Sequence, residues 1–154
     1  RVVFSCGDDA LDIYLKKRAS QETKKKIATT FVIADRLTGA VIGFYTLSAT
    51  SILLADLPDE TARKLPKYPH VPATLLGRLA IDSRYLGKGY GELLIMDALR
   101  RALQATTEVA SYAVVVDATN ESARSFYEQY GFCAFPDQKL RLFLPMKIIA
   151  DLFS

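Results

Sequence analysis

Hydrophobic and polar residues follow one another along the chain at spacings that change repeatedly between a helical and a strand period. In the first half, they predict the end of a strand at Val2–Phe4 and two helices, at Asp9–Arg18 and about Gln21–Ala28. An antiparallel hairpin follows, formed by Thr29–Asp35 and Val41–Ser48. In the second half, they predict a short helix at Pro58–Leu65, a strand at Leu75–Ile81 and a long helix at about Gly89–Thr106. A buried strand at Tyr112–Asp117, a helix at Asn120–Tyr130 and a closing strand pair, Phe132–Phe135 with Leu140–Lys147, follow. This order predicts an α/β fold with a mixed sheet and helices on both faces, and it leaves the topology open.

Composition limits the class of protein. The chain has 154 residues, half of them hydrophobic, so one domain over residues 1–154 can bury its own core. No apolar run approaches the roughly 20 residues of a membrane span, and no secretory leader is recognisable, so we expect a cytoplasmic protein. The two cysteines, Cys6 and Cys133, lack the spacing of a disulfide framework or a zinc site, and we expect partly buried thiols and no metal.

Three glycines at every second position separate the strand Leu75–Ile81 from the long helix. Gly87, Gly89 and Gly91 allow unusual backbone angles and the close approach of a ligand, and the first N–H groups of the helix point into this turn. Phosphate is the expected ligand at such a helix N-terminus. A Rossmann site needs another glycine spacing and a βαβ repeat, and a P-loop needs Gly-Lys-Ser/Thr. The remaining alternative is a tight connection without a ligand.

Two motifs make the chain resemble the GNAT acetyltransferase superfamily. The turn from Arg84 to Gly89 has the form Arg/Gln-x-x-Gly-x-Gly/Ala, and Asn120 to Phe132 has the form Asn-x-x-Ala-x-x-Phe-Tyr-x-x-x-Gly-Phe. The resemblance implies a single-domain, mostly antiparallel GNAT fold with a splayed central strand pair. It also implies that the turn binds the pyrophosphate of acetyl-CoA through backbone amides, while the strand before it pairs with the pantetheine arm. The implied acetyl-CoA contacts are Leu79, Ala80, Ile81, Arg84, Leu86, Gly87, Lys88, Gly89, Tyr90, Gly91, Asn120 and Phe126.

Further segments are similar to a narrower group, the acetyltransferase toxins of bacterial toxin–antitoxin modules. They include Phe4–Gly7, Tyr45–Ser48, Pro69–Pro72, Leu76–Ala80 and Leu142–Met146. This resemblance implies acetylation of the α-amino group of an aminoacyl-tRNA, arrest of translation and silencing by a small antitoxin, often of the ribbon-helix-helix type. Family behaviour also implies a homodimer. Leu86 departs from the glutamine that is frequent there, at a position that acts largely through its backbone.

The mechanism requires an acid for the departing CoA thiolate, and the Phe-Tyr motif makes Tyr127 the candidate. A phenol with a pKa near 10 is protonated at neutral pH and can donate to sulfur. Tyr130 is the weaker candidate, and a tyrosine that only fills the groove between helix and sheet is the structural alternative. A backbone N–H within Leu79–Ile81 would hold the oxyanion. The strand Leu75–Ile81 contains no carboxylate, which weakly favours an acceptor that is already partly neutral, such as an α-amine.

Cationic residues are the candidates for acceptor binding. Arg78 either pairs with Asp82 or Asp117 or faces the acceptor, and Lys24, Lys25 and Lys26 either contact tRNA phosphates or form a solvated helix face. His70 has no set of metal partners. Two other functions stay open: acetylation of a small-molecule amine or a protein N-terminus, and a binding module without catalysis.

Overall fold

The computed structural model describes residues 4–154, which contain six strands and six α-helices. The strands are β1 (Thr29–Ala34), β2 (Val41–Leu53), β3 (His70–Ile81), β4 (Ala113–Asp117), β5 (Cys133–Phe135) and β6 (Gln138–Pro145). The helices are α1 (Asp9–Ile13), α2 (Ala19–Lys24), α3 (Asp59–Arg63), α4 (Tyr90–Ala105), α5 (Glu121–Glu128) and α6 (Met146–Leu152). A π-helical turn, Tyr14–Arg18, connects α1 to α2, and 3-10 turns lie at Leu54–Asp56 and Ser83–Tyr85.

The strands form one sheet in the order β1-β2-β3-β4-β6-β5. β1 and β2 form the antiparallel hairpin that the sequence predicts, with Thr29 opposite Leu47 and Phe31 opposite Tyr45. β6 pairs antiparallel with both β4 and β5. The neighbours β3 and β4 are joined through α4, the connection that parallel strands need. The predicted α/β class and mixed sheet are thereby confirmed.

The chain divides into two compact units, and the boundary between them falls within β2, β3 and α4. The first unit comprises the chain up to Ser48 together with Leu76–Leu99. Within the predicted helix Asp9–Arg18, the apolar residues Leu11, Tyr14 and Leu15 have the spacing of one helical face. Tyr14 and Leu15 are buried against Phe44 and Ala80 in the core of this unit, and Leu11 packs beside them. The apolar face that the sequence assigns to α1 and the turn after it therefore covers β2 and the end of β3.

The second unit comprises Ala49–Leu75 and Arg100–Ser154. Its core joins the first half of β3, β4, β5 and β6 through Val71, Ala73, Val115, Phe135 and Phe143. All four apolar residues of β4, Ala113 to Val116, are buried, as expected for a strand covered on both faces. The predicted buried strand is confirmed.

Several predicted boundaries differ from the structure. β3 begins at His70, five residues before the predicted start at Leu75, and it includes Pro72. α2 ends at Lys24 rather than near Ala28, and Lys147 lies in α6, which the pattern did not predict. Cys133 is exposed rather than partly buried. The predicted strand Val2–Phe4 lies outside the described residues except for Phe4, which is buried outside any strand.

Within residues 4–154, none of the helices combines the length and the apolar character that crossing a lipid bilayer requires.

Candidate functional site

The glycine turn has the geometry of an anion site. Gly87 and Gly89 have φ angles of +75° and +84°, which favour glycine, and a Cβ built on either residue meets no atom within 4 Å. α4 begins at Tyr90, and the Leu93 N–H donates to the Gly89 carbonyl at 3.2 Å. Because the first amides of a helix have no intrahelical acceptor, those of Tyr90 and Gly91 are free to bind a ligand. Gly91 therefore belongs to the helix rather than to the turn.

Asp82 holds the segment that precedes the turn. Its carboxylate is almost fully buried and accepts hydrogen bonds from the backbone N–H groups of Ser5, at 3.1 Å, and Arg84, at 2.9 Å. The Arg84 guanidinium donates to the same carboxylate through Nε at 2.9 Å and Nη2 at 3.2 Å. These contacts, the Arg84 side chain first among them, lower the pKa of Asp82 to about 2. The arginine of the turn motif thus binds the protein itself, and the adjacent backbone is left to bind a ligand.

The end of β3 carries the residues predicted to align the donor. The Arg78 N–H donates to the Thr46 side-chain oxygen on β2 at 3.0 Å, in place of a main-chain carbonyl. Leu79 and Ile81 are half-buried, whereas Ala80 is buried in the first unit's core. At Gly43 on β2, a Cβ would lie 2.8 Å from the Ala80 carbonyl oxygen, so only glycine allows this approach of the two strands.

Arg78 does not pair with either predicted carboxylate. Asp82 binds Arg84, and Asp117 lies 3.9 Å from Nε of Arg141. The Arg78 guanidinium instead stacks on the Tyr14 ring, with its Cζ 3.7 Å from the ring centroid. In the part of the chain that the structure describes, Arg78 forms no ion pair. The pairing alternative is therefore wrong.

Tyr127 lies on α5 in the second unit. The Asn120 side chain caps this helix by accepting the Ala123 N–H at 2.8 Å, as its sequence position predicts. The Tyr127 ring is buried, and its centroid lies 5.2 Å from that of Phe126 and 5.5 Å from that of Phe132. Its hydroxyl makes no hydrogen bond to any residue among 4–154. Burial raises the pKa of Tyr127 to about 12, so the phenol remains protonated at physiological pH.

The three predicted lysines lie together at the end of α2. Lys24 is the last helical residue, and Lys25 and Lys26 follow it, all with exposed side chains. Lys26 has a φ of +62° and its N–H donates to the Thr23 carbonyl, which ends the helix. Basic residues at a helix C-terminus also stabilise the helix dipole, so their position alone does not require a ligand.

The structure contains a cavity in the first unit that the sequence did not predict. It has a volume of about 320 Å³ and is lined by Ala10, Leu11, Ile13, Tyr14, Arg18 and Arg78. The π-helical turn forms part of its wall through Tyr14 and Arg18. The Ala19 N–H donates to the Tyr14 carbonyl five residues earlier, which defines the π-helical turn. The residues Tyr14–Arg18 have ordinary helical spacing, so no signal in the sequence distinguished this turn.

A larger cavity, of about 550 Å³, lies in the second unit between the end of β2 and the segment Lys67–Pro69. It is mainly apolar and brings together none of the predicted site residues. His70 is exposed beside it, with Nδ1 3.4 Å from Oγ of Ser51. No group of three His, Cys, Asp or Glu side chains in residues 4–154 is arranged to bind a metal ion.

Gly89→Val is expected to raise the KM for the donor that binds at the turn. The kcat measured at saturating donor should change little. The φ of +84° disfavours a β-branched residue by about 1–2 kcal/mol, and the new side chain would occupy the space in front of the helix N-terminus. Gly39→Val, at a φ of +73° in the β1–β2 turn, is the matched control for backbone strain. A KM as low as that of the control would contradict the assignment of the turn.

Comparison with known proteins covers nearly the whole chain. The profile of the Acetyltransferase (GNAT) family matches residues 7–132. A tRNA-acetylating toxin of Mycobacterium tuberculosis is 38% identical over 144 residues, which are 94% of this chain and 84% of that protein. The structure of AtaT complexed with acetyl-methionyl-tRNAfMet superposes with a TM-score of 0.90 at 32% identity, over 98% of this chain and 90% of AtaT. A Tyr-to-Phe mutant of the AtaT toxin, bound to the C-terminus of the antitoxin AtaR and acetyl-CoA, gives a TM-score of 0.84 at 28% identity, over 99% and 89%.

Proposed function

Because the chain belongs to the GNAT acetyltransferase family, we propose that it is a bacterial toxin that transfers the acetyl group of acetyl-CoA to the α-amino group of an aminoacyl-tRNA. Acetylation of that amine would prevent it from forming a peptide bond and so stop translation. The observation that carries the proposal is the 38% identity, over 94% of this chain, to a protein named for acetylating tRNA. The AtaT complex with an acetylated aminoacyl-tRNA supports the same acceptor.

The residues of the glycine turn fit acetyl-CoA. The backbone amides from Gly87 to Gly91 would bind the pyrophosphate, because they lie at the N-terminus of a 16-residue helix with open space beside Gly87 and Gly89. The Leu86 N–H instead donates to the Ser83 carbonyl at 3.5 Å. Lys88 adds a positive charge near the pyrophosphate position and lies over the Tyr85 ring at 5.8 Å. The segment Leu79–Ile81 would pair with the pantetheine arm. The side chains of Asn120 and Arg84 also bind within the protein, as a helix cap and as the partner of Asp82.

The transfer itself exchanges one bond for another. The neutral α-amine attacks the thioester carbon, the C–N bond forms, the C–S bond breaks, and the proton lost from nitrogen enters solvent. A backbone N–H within Leu79–Ile81 would stabilise the tetrahedral oxyanion. The Tyr127 hydroxyl would donate a hydrogen bond to the sulfur as the C–S bond breaks, and the departing thiolate would take its proton from solvent.

The acceptor amine needs little help from a base. An α-amino group has a pKa near 8 and is partly neutral at pH 7, whereas a lysine ε-amine near 10.4 is not. No carboxylate occurs in β3 up to Ile81, the strand that would align the thioester. An α-amine esterified to tRNA therefore suits this chain better than a lysine side chain does.

One of the same relatives supports a protein partner. The AtaT structure with the C-terminus of AtaR supports neutralisation by a cognate antitoxin, for which we propose the ribbon-helix-helix type. We also propose a homodimer and a location in the bacterial cytoplasm, where charged tRNA is found. Size-exclusion chromatography with light scattering, alone and with the co-expressed antitoxin, tests both assemblies.

Incubation with radiolabelled acetyl-CoA and total charged tRNA tests the proposed reaction. We expect label in RNA that disappears after mild deacylation, since the acetyl group would reside on the esterified amino acid. Uncharged tRNA is the control. Label that enters only small amines or protein N-termini would show that these, and not aminoacyl-tRNA, are the acceptors. The absence of any acetyl transfer from bound acetyl-CoA would favour a binding module without catalysis.

Lys24→Glu with Lys25→Glu is expected to weaken tRNA binding and to reduce its dependence on salt. Each lysine that contacts a phosphate releases about one counterion, so the slope of log affinity against log salt should fall by about one for each lost contact. Lys139→Glu with Lys147→Glu, also exposed, makes the same change in net charge and is the matched control. Lys26 is left unchanged because its positive φ ends the helix. If both double variants bind alike, the lysines only stabilise α2.

A further inference from the structure

We propose that the cavity between α1, the π-helical turn and β3 binds a phosphate group at the 3′ end of the acceptor RNA, with Arg78 and Arg18 as its ligands. This assignment rests on the proposed function and specifies how the acceptor is held. The cavity is lined by three apolar residues, one tyrosine and these two arginines, and no carboxylate lines it. With a volume of about 320 Å³, it is at the lower end of the range of ligand sites and suits a fragment of a ligand.

Arg78 is held in place for an anion. Tyr14, beneath it, is 2% exposed and donates its hydroxyl proton to Oε1 of Glu22 at 3.0 Å, so the ring that supports the guanidinium is itself fixed. The stack uses one face of the guanidinium, at 3.7 Å, and leaves its N–H groups available. No carboxylate in residues 4–154 forms an ion pair with Arg78, and the nearby Glu22 carboxylate accepts from the Tyr14 hydroxyl instead. A half-buried guanidinium that is positioned and unpaired fits a ligand that supplies the missing negative charge.

The π-helical turn brings Arg18 to the same cavity. The Ala19 N–H donates to the carbonyl of Tyr14, five residues earlier instead of the usual four, so this turn of the helix contains one additional residue. Such π-helical turns occur frequently at functional sites. Tyr14 and Arg18, at the two ends of this turn, both line the cavity. Two guanidinium groups that face one cavity match the several acceptor oxygens of a phosphate better than a single neutral group does.

The surroundings favour phosphate over other anions. Arg18 is followed by α2, whose far end carries Lys24 about 9 Å along the helix. The one acidic residue between them, Glu22, accepts a hydrogen bond from the Tyr14 hydroxyl. A polyanionic strand would meet both the cavity and Lys24, whereas the carboxylate of an acidic amino acid would fill only the cavity. Arg78 also directly precedes Leu79–Ile81, the segment proposed to hold the thioester, so its ligand lies next to the reacting amine along β3.

Two minimal acceptors that carry the same amino acid test this assignment. One is the aminoacyl ester of the trinucleotide CCA, which has phosphates, and the other is the aminoacyl ester of adenosine, which has none. We expect Arg78→Met and Arg18→Met each to lower kcat/KM by about tenfold or more on the trinucleotide and to change it little on the adenosine ester. Arg78→Lys, which keeps the charge without the planar stack, should fall between the wild type and Arg78→Met. Arg36→Met, in the exposed β1–β2 turn, is the control.

Equal losses on both acceptors would overturn the phosphate site, because the arginines would then act on the aminoacyl group. If Arg18→Met has the wild-type kcat/KM on the trinucleotide ester, the phosphate site is also overturned. Because Arg18 is exposed, we expect Arg18→Met to fold, and it tests the site even if Arg78→Met does not fold. The affinity for acetyl-CoA should be the same in all variants. If the wild-type protein acetylates no charged tRNA and neither ester, the proposed function fails rather than the site.

Discussion

Tyr127→Phe is expected to remove most of the acetyltransferase activity and to leave the fold and the affinity for acetyl-CoA unchanged. A positioned general acid contributes about 10²–10⁴-fold to such reactions, and phenylalanine cannot donate a proton. The ring would keep its packing against Phe126 and Phe132. The measurements are kcat with saturating acceptor, the dissociation constant of acetyl-CoA, and the melting temperature.

Burial defines how Tyr127 acts. With its pKa raised to about 12, the phenol stays protonated across the working range, but it is a weaker acid than a thiol, whose pKa is near 8.5. Full proton transfer to a stable thiolate would be unfavourable. We therefore expect the hydroxyl to act by donating a hydrogen bond to the sulfur while the C–S bond breaks, and activity should not decline with rising pH below about pH 10.

Tyr130→Phe is the control for this prediction. Tyr130 lies three residues later, with its ring centroid 5.3 Å from that of Phe126, so the substitution removes a hydroxyl from the same aromatic cluster. We expect Tyr130→Phe to retain most of the activity. Near-normal turnover by Tyr127→Phe, or an equal loss in both variants, would contradict the role of Tyr127 as the acid.

The parts of the site that depend on local sequence could be predicted from it. A positive φ at Gly87 and Gly89, the start of α4 and the Asn120 cap each follow from residues within a few positions of one another. The apolar stripe of Tyr14 and Leu15 was predictable for the same reason. By contrast, Leu93 has the spacing of the buried face of α4 but is 49% exposed, because tertiary packing decides which edge of a wide stripe is covered.

Long-range contacts account for what the sequence did not reveal. Two carboxylates, Asp82 and Asp117, could have paired with Arg78, and only the folded chain shows that Arg84 and Arg141 bind them. The ring under Arg78 comes from a helix 64 residues earlier in the sequence. β3 extends back to His70 because its first half pairs with β4, where the Tyr112 N–H donates to the Pro72 carbonyl at 2.8 Å. A proline keeps its carbonyl acceptor, so this pairing tolerates Pro72.

Asp82→Asn is expected to lower the free energy of unfolding at pH 7 by on the order of 2–3 kcal/mol and the melting temperature by about 5–10 °C. Asp82 accepts from two backbone N–H groups and from the Arg84 guanidinium, and a neutral amide weakens all of these contacts. Because the same carboxylate anchors the turn before Gly87, the KM for acetyl-CoA should also rise. Asp117 is exposed and lies 3.9 Å from Nε of Arg141, so Asp117→Asn should change stability little.

The free energy of unfolding measured at acidic pH distinguishes the effect of the Asp82 charge from the effect of its side-chain geometry. Its pKa in the folded protein is about 2, below the ordinary value of 3.8, so the folded state favours the ionised carboxylate. This contribution is fully present above about pH 4 and is lost as the pH falls from about 4 toward 2, where the carboxylate becomes protonated. The stability difference between wild type and Asp82→Asn should therefore shrink over that interval, as followed by urea unfolding at pH 7, 4 and 3. A difference that stays constant would mean that the substitution destabilises the protein through the geometry of the amide, and that the ion pair with Arg84 adds nothing to the anchor.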